Sequence, residues 1–308
     1  MKLSLEGLKD TKAWQEAGIS LPSYDVAQIQ ERTRKAPKWL HFGIGNIFRI
    51  FIGGIADTLL SGGSMDTGIV CAEAFDYDIV DKIYKPYDNL ALGITLYKDG
   101  RMDKKVIGSL AEAVKAKPDD ADSWKRLKTI FTDPGLQMVS FTITEKGYSL
   151  TKTDGTYLGY VQSDMEKGPE APVGIMAIVA AMLLERYRRG AAPLTLVSMD
   201  NCSHNGDLLK RSVLTIAKEW KKRGYAEEGF ISYLQDPEKI SFPWTMIDKI
   251  TPRPGDFVQK ELQAEGVEGM EIVVTGRRTY IAPFVNAEGP QYLVIEDRFP
   301  NGRPELEK

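Results

Sequence analysis

The sequence predicts an α/β fold: a doubly wound, mostly parallel sheet with β-hairpins added to it. Three observations carry this expectation. Short apolar runs of strand length alternate with longer helical runs along most of the 308 residues. A tight glycine turn, Gly43-Ile44-Gly45, joins the first apolar run to the first helical one. Two turn signals, Asp99-Gly100 and Asp154-Gly155, each lie between alternating runs, where glycine supplies the positive φ that a hairpin turn requires.

Each element follows from its own residues. Residues 1–36 are polar and are expected to form helices and loops leading into the fold. Lys38 to Phe42 reads as the first strand and Asn46 to Leu60 as the helix after it. Gly68 to Ala72 is a strongly apolar second strand that runs into the acidic cluster Glu73, Asp76 and Asp78. Gln137 to Thr144 reads as a buried strand, Pro172 to Arg189 as a largely buried helix, and Leu194 to Met199 as a further strand. Leu208 to Lys222 is amphipathic. The repeated β-α-β order favours parallel pairing with right-handed crossovers.

Composition narrows the function. A net charge of −3, with Lys and Arg scattered among Asp and Glu, offers no basic footprint for nucleic acid. The polar start lacks the apolar core of a signal peptide, and the longest apolar stretch, from Pro172 to Leu184, is too short to span a bilayer. No membrane partner is expected. Cys71 and Cys202 give no disulfide framework and fit a reducing cytoplasm. With only His41 and His204 beside them, no metal site is expected.

Two segments carry chemistry. The turn Gly43-Ile44-Gly45-Asn46-Ile47-Phe48-Arg49 lets backbone N–H groups approach a pyrophosphate at a helix N-terminus, as in a Rossmann-like dinucleotide site. Phe48 stands where a third glycine is usual, so a displaced helix is expected; Arg49 can add a phosphate contact. Glu73 or Asp76 can accept hydrogen bonds from ribose hydroxyls and repel a 2′-phosphate, or both can be solvated loop carboxylates. The second segment, Asp200-Asn201-Cys202-Ser203-His204-Asn205-Gly206, ends a strand, where open α/β sheets bind ligands. Asn201 offers an amide donor for a carbonyl or developing alkoxide. Alternatively, Asn205-Gly206 is a turn and Asp207 caps the next helix. His204 is a general base or a structural histidine. Asp248, inside an apolar stretch, is either paired with a neighbouring cation or orients a site.

Taken together, Gly43-x-Gly45-Asn46-x-Phe48-Arg49, Thr144-Glu145-Lys146-Gly147-Tyr148, Asp200-Asn201-x-x-His204-Asn205-Gly206, Phe242-Pro243 through Asp248-x-Ile250-Thr251-Pro252, and Glu296-Asp297-x-Phe299-Pro300 resemble the mannitol dehydrogenase family of polyol-specific long-chain dehydrogenases. The resemblance implies a dinucleotide-binding domain over residues 1–295, and a junction over 296–308 to a helical catalytic domain absent from this chain. It implies a nicotinamide cofactor, taken as NAD, with Gly43, Gly45, Asn46 and Arg49 in the phosphate loop and Thr144, Glu145 and Lys146 near the cofactor; Glu73 and Asp76 join this set by their position after the second strand. It implies metal-free hydride transfer at the C2 keto or hydroxy carbon of a hexuronate or polyol, with fructuronate/mannonate favoured. On the substrate side it assigns Asn201 as an oxyanion donor and Asp248 as an active-site acid. The family's catalytic lysine has no match, because no Lys-x₄-Asn-x₂-His pattern occurs. Low activity of the chain alone and self-association through the surface left by the missing domain follow. Two rivals remain: a methyltransferase, which explains only the glycine loop, and a noncatalytic nucleotide-binding module.

Overall fold

In the computed structural model, residues 1–307 are described. The central sheet has six strands, numbered along the chain: β1 (Trp39–Phe42), β2 (Ile69–Glu73), β3 (Leu110–Lys115), β4 (Met138–Phe141), β5 (Leu194–Ser198) and β6 (Ile240–Ser241). Their spatial order is β3-β2-β1-β4-β5-β6 and every pair is parallel. The chain therefore reverses direction across the sheet between β1 and β4, and the C-terminal ends of these two strands form the crevice in which such folds bind ligands.

Alternation along the strands explains why the sheet needs cover on both faces. Leu40, Phe42, Val70, Ala72, Val139 and Phe141 enter one core, with the helices Ile175–Arg188 and Asn205–Lys222. Trp39, Ile69, Cys71 and Met138 enter a second core, with Phe48, Phe51 and Ile52 from the segment after the glycine turn. Every residue of β1, β2, β4 and β5 is buried, as expected for a parallel sheet between layers.

A smaller four-stranded sheet holds Ile19–Ser20, Met102–Ile107, Ala91–Leu96 and Phe284–Glu288, in that order. The expected hairpin at Asp99-Gly100 joins two of these strands, with Gly100 at φ 86°. The second expected hairpin reduces to one bridge, Thr151 to Tyr157, because nothing extends the pairing beyond the Asp154-Gly155 turn. The N-terminal segment packs here: Leu3, Trp14 and Ile19 share a third core with Leu92, Val258, Leu262 and Phe284. Two short ribbons complete the fold, Thr245–Lys249 with Gln291–Ile295 and Val273–Val274 with Tyr280–Ile281. Among the described residues no helix is long and apolar enough to cross a membrane.

The helix after β1 departs from ideal geometry where the sequence departs from the glycine pattern. Phe48–Ile52 forms a π-helical turn before the α-helix Gly53–Ser61. The Phe48 ring is fully buried and stacks on the His41 ring of β1, with centroids 4.0 Å apart. A ring at the strand–helix contact needs more room than glycine, and the wider turn provides it.

Candidate active site

The glycine loop leaves β1 through Gly43, whose φ is 90°. A Cβ at Gly43 would lie 2.1 Å from the Thr142 carbonyl oxygen, so close approach of the β1 and β4 loops also excludes a side chain. Thr142 is fixed in turn: its hydroxyl donates to the Gly43 carbonyl at 2.7 Å and contacts His41 Nε2 at 2.9 Å. Burial keeps His41 neutral, well below its usual titration range. Gly45 differs from Gly43. A Cβ there meets nothing within 4 Å, and its N–H has no acceptor among the described residues. The loop therefore offers an open cradle beside an unpaired amide at a helix start, which fits a pyrophosphate.

Arg49 lies elsewhere than expected. Its guanidinium is buried; it donates to the Ala282 carbonyl at 2.7 Å and to Asn46 Oδ1 at 2.8 Å, and burial lowers its pKa to about 10. It ties the loop from inside to the segment between the strands Tyr280–Ile281 and Phe284–Glu288 instead of facing a phosphate. Glu73 and Asp76 of the acidic cluster are also turned inward, whereas Asp78 is half-exposed beside Lys82. Glu73 is 6% exposed and accepts from the amides of Phe75 (2.9 Å), Asp76 (3.1 Å) and, at longer range, Ile44 of the glycine loop (3.4 Å). Burial holds its carboxyl above the usual range. Asp76 is 3% exposed, and its Oδ2 accepts from the hydroxyls of Thr275 and Thr279, each at 2.6 Å. Neither the ribose-facing nor the solvated reading describes Asp76: it anchors a distant turn.

Across the crevice, the β4 and β5 loops are joined by a residue that sequence reasoning did not single out. Asp200 accepts from Ile143 N–H (2.9 Å), Thr144 N–H (2.9 Å) and Tyr148 O–H (2.6 Å). Burial raises its pKa. These bonds hold Thr144 at φ 63°, a left-handed conformation costly for a β-branched residue. The signal available was a carboxylate one residue beyond an apolar strand. Thr144, Glu145 and Lys146 are exposed on the short helix Thr144–Tyr148.

Asn205 and Gly206 are not a turn but the first residues of the next helix, and Asp207 lies in its first turn instead of capping it. The Asn205 amide donates to the Asp200 carbonyl (3.0 Å) and Thr245 Oγ1 (2.8 Å), and its oxygen accepts from Thr245 N–H (3.0 Å). A Cβ on Gly206 would lie 2.5 Å from the Phe242 carbonyl oxygen, so only glycine lets this helix start so close. This buried network fixes the loop carrying Asn201 against the strand carrying Asp248. Asn201 itself is exposed. Asp248 is exposed too, opposite Tyr292 in the ribbon, and has no ion-pair partner among the described residues. On the same strand face stand Met246 and Ile250, with Val294 on the paired strand, all exposed. His204 is exposed and meets the Trp244 ring edge-on, with ring centroids 4.4 Å apart. Both cysteines are free, and among the described residues no group of His, Cys, Asp and Glu could hold a metal ion.

Residues 37–308 match the mannitol dehydrogenase Rossmann domain. The chain is 49% identical over 307 residues to a D-mannonate oxidoreductase of Thermotoga maritima, covering 100% of this chain and 56% of that protein. It is 30% identical to a polyol:NADP oxidoreductase of Gluconobacter oxydans, covering 95% and 55%. Among solved structures, a Pseudomonas fluorescens mannitol 2-dehydrogenase in ternary complex with NAD and D-mannitol superposes with a TM-score of 0.78 at 25% identity, covering 100% of this chain and 56% of that one. The chain thus spans about half the length of the curated relatives it matches.

Proposed function

The chain belongs to the mannitol dehydrogenase family, and from that premise we propose that it forms the cofactor-binding part of an NAD-dependent oxidoreductase acting on a hexuronate or polyol. The favoured substrate pair is fructuronate/mannonate. One observation carries this reading: 49% identity to a D-mannonate oxidoreductase over 307 residues, which cover 100% of this chain. NAD, when bound, takes up or gives the hydride; the residues of this chain bind and orient.

Gly43, Gly45 and Asn46 form the phosphate cradle, and Glu73 lies beside it at the end of β2. Thr144, Glu145 and Lys146 line the opposite side of the crevice. The Asn201 amide donates to the substrate oxygen on which charge develops, and Asp248 faces the same space from the ribbon. Arg49 and Asp76 support the cofactor loops from within and touch no ligand. Residues 1–295 constitute the dinucleotide-binding domain, and 296–308 form the junction to a helical domain that supplies the proton-transferring group. The apolar ribbon face around Asp248 belongs against that domain, and in its absence drives self-association. The protein works in the cytoplasm.

Two assays test this. The 308-residue chain, given NADH and fructuronate, is expected to bind cofactor but turn over little substrate, since a positioned acid/base contributes about 10²–10⁴-fold. Robust turnover would place the proton donor within this chain and sink the two-domain division. In a protein spanning the full length of the relatives, fructuronate is reduced faster than fructose; the reverse preference refutes the uronate assignment.

A further inference from the structure

The acidic cluster after β2 serves a purpose that its sequence conceals. Asp76 accepts from the hydroxyls of Thr275 and Thr279, and Asp78 accepts from the Gly276 N–H at 3.0 Å. These bonds clamp the turn Thr275-Gly276-Arg277-Arg278-Thr279, which closes the ribbon Val273–Val274/Tyr280–Ile281, onto the loop after β2. The turn is itself rigid, with the Arg278 N–H donating to the Thr275 carbonyl at 2.9 Å and the Thr279 N–H to Thr275 Oγ1 at 3.0 Å. It presents the guanidinium of Arg277 4.8 Å above the ring of Phe75, which is 64% exposed. Arg277 has no carboxylate partner among the described residues, and neither has Arg278 beside it, whereas the nearby lysines are ion-paired: Lys82 with Asp78, Lys85 and Lys115 both with Asp81, and Lys117 with Asp119.

In a doubly wound sheet the adenosine ribose lies at the C-terminal end of β2, next to Glu73 and therefore next to Phe75 and Arg277. Carboxylates in that position exclude a 2′-phosphate only if they face it. Here Asp76 is turned away, Glu73 is occupied by backbone amides, and the guanidinium of Arg277, stacked on Phe75, stands at the lip as a cation with no carboxylate partner among the described residues. A planar guanidinium matches phosphate geometry, and stacking on an exposed ring holds it ready without desolvating it fully. We propose that Arg277 is a 2′-phosphate-binding residue, and that this domain accepts NADP(H) as well as NAD(H). The inference rests on the dinucleotide-binding reading above and adds a ligand group that the family fold alone does not specify.

The test is a calorimetric titration of the chain with NADH and with NADPH, in the wild type, Arg277→Ala and Arg277→Lys. Thermal melts verify that the variants are folded; Arg277 is exposed and makes no buried contact. Wild type is expected to bind both cofactors. Arg277→Ala should weaken NADPH by about ten- to a hundredfold, the scale of a charge-assisted hydrogen bond, and leave NADH within about threefold. Arg277→Lys should retain part of the NADPH affinity, because the charge stays and the fork is lost. NADH binding without NADPH binding in the wild type overturns the inference and leaves the dinucleotide reading intact. Equal weakening of both cofactors also overturns it, since Arg277 would then serve only the adenine. Failure of both cofactors to bind removes the dinucleotide reading and this inference with it.

Discussion

Replacing Gly43 with alanine should destabilise the whole domain. The backbone there has φ 90°, and an L residue in left-handed space costs about 1–2 kcal/mol. The new methyl would also lie 2.1 Å from the Thr142 carbonyl oxygen and 3.1 Å from Ile143 Cγ2. Neither neighbour can step aside freely. Thr142 N–H donates to the Phe42 carbonyl at 2.9 Å, its hydroxyl bonds Gly43 and His41, and Asp200 holds Ile143 N–H. Forcing an extra methyl into such packing costs about 1–3 kcal/mol more. The expected total is about 2–5 kcal/mol, a large part of the stability of an ordinary domain. Urea unfolding followed by tryptophan fluorescence would show a lower midpoint with an unchanged slope. A Gly43→Ala midpoint equal to wild type would refute the argument that the β1 and β4 loops touch at this glycine.

Three further substitutions separate support from chemistry. Arg49→Lys keeps the charge but cannot fork to both Ala282 and Asn46, so urea unfolding should register a loss of about 1.5–3 kcal/mol for one charge-assisted bond, with NADH affinity little changed; lost affinity at intact stability would return Arg49 to the phosphate. For Asp200→Asn the signature is pH dependence. Burial raises the folded pKa of Asp200 above the unfolded value of about 3.9. Its stabilisation is therefore complete below that value and is lost as pH rises through the folded value. The stability of wild type relative to Asp200→Asn should thus fall from about pH 4 upward before levelling off, and a gap independent of pH would contradict this. Asn201→Ala, at an exposed position, should leave the melting temperature unchanged yet lower turnover in a full-length enzyme by about 10²–10³-fold; near-normal turnover would make Asn201 a mere loop residue.

The sheet was legible because parallel strands buried on both faces must be apolar throughout. Trp39–Phe42, Ile69–Glu73, Met138–Phe141 and Leu194–Ser198 all stand within two or three residues of the expected strands. Ile19–Ser20 and Ile240–Ser241 are too short to leave a pattern. The site was only half legible. A glycine loop announces itself locally, since backbone geometry restricts the residues that can form it. A charged side chain does not announce its partner. Asp76 meets Thr275 and Thr279 from 199 and 203 positions away, and Arg49 meets Ala282 from 233, so sequence neighbours could not reveal that both point inward. Phe48 gave a partial signal: loss of the third glycine predicted a displaced helix, but not the stacking on His41 that accommodates it. Asn205 carried the opposite lesson, as a residue common in turns is here the buried link between two loops and a strand.

The claim that this is a dinucleotide-binding domain rests most directly on Gly45, where a side chain would meet nothing in the protein and only a bound pyrophosphate would object. The measurement is an NADH titration of the chain by calorimetry, wild type beside Gly45→Ala, with urea unfolding of both. One saturable site is expected in the wild type, with a marked loss of affinity in Gly45→Ala. Stability of the variant should be equal, or higher by about 0.4–1 kcal/mol from the stiffer unfolded chain. No binding by the wild type, or equal affinity in the two proteins, would contradict it.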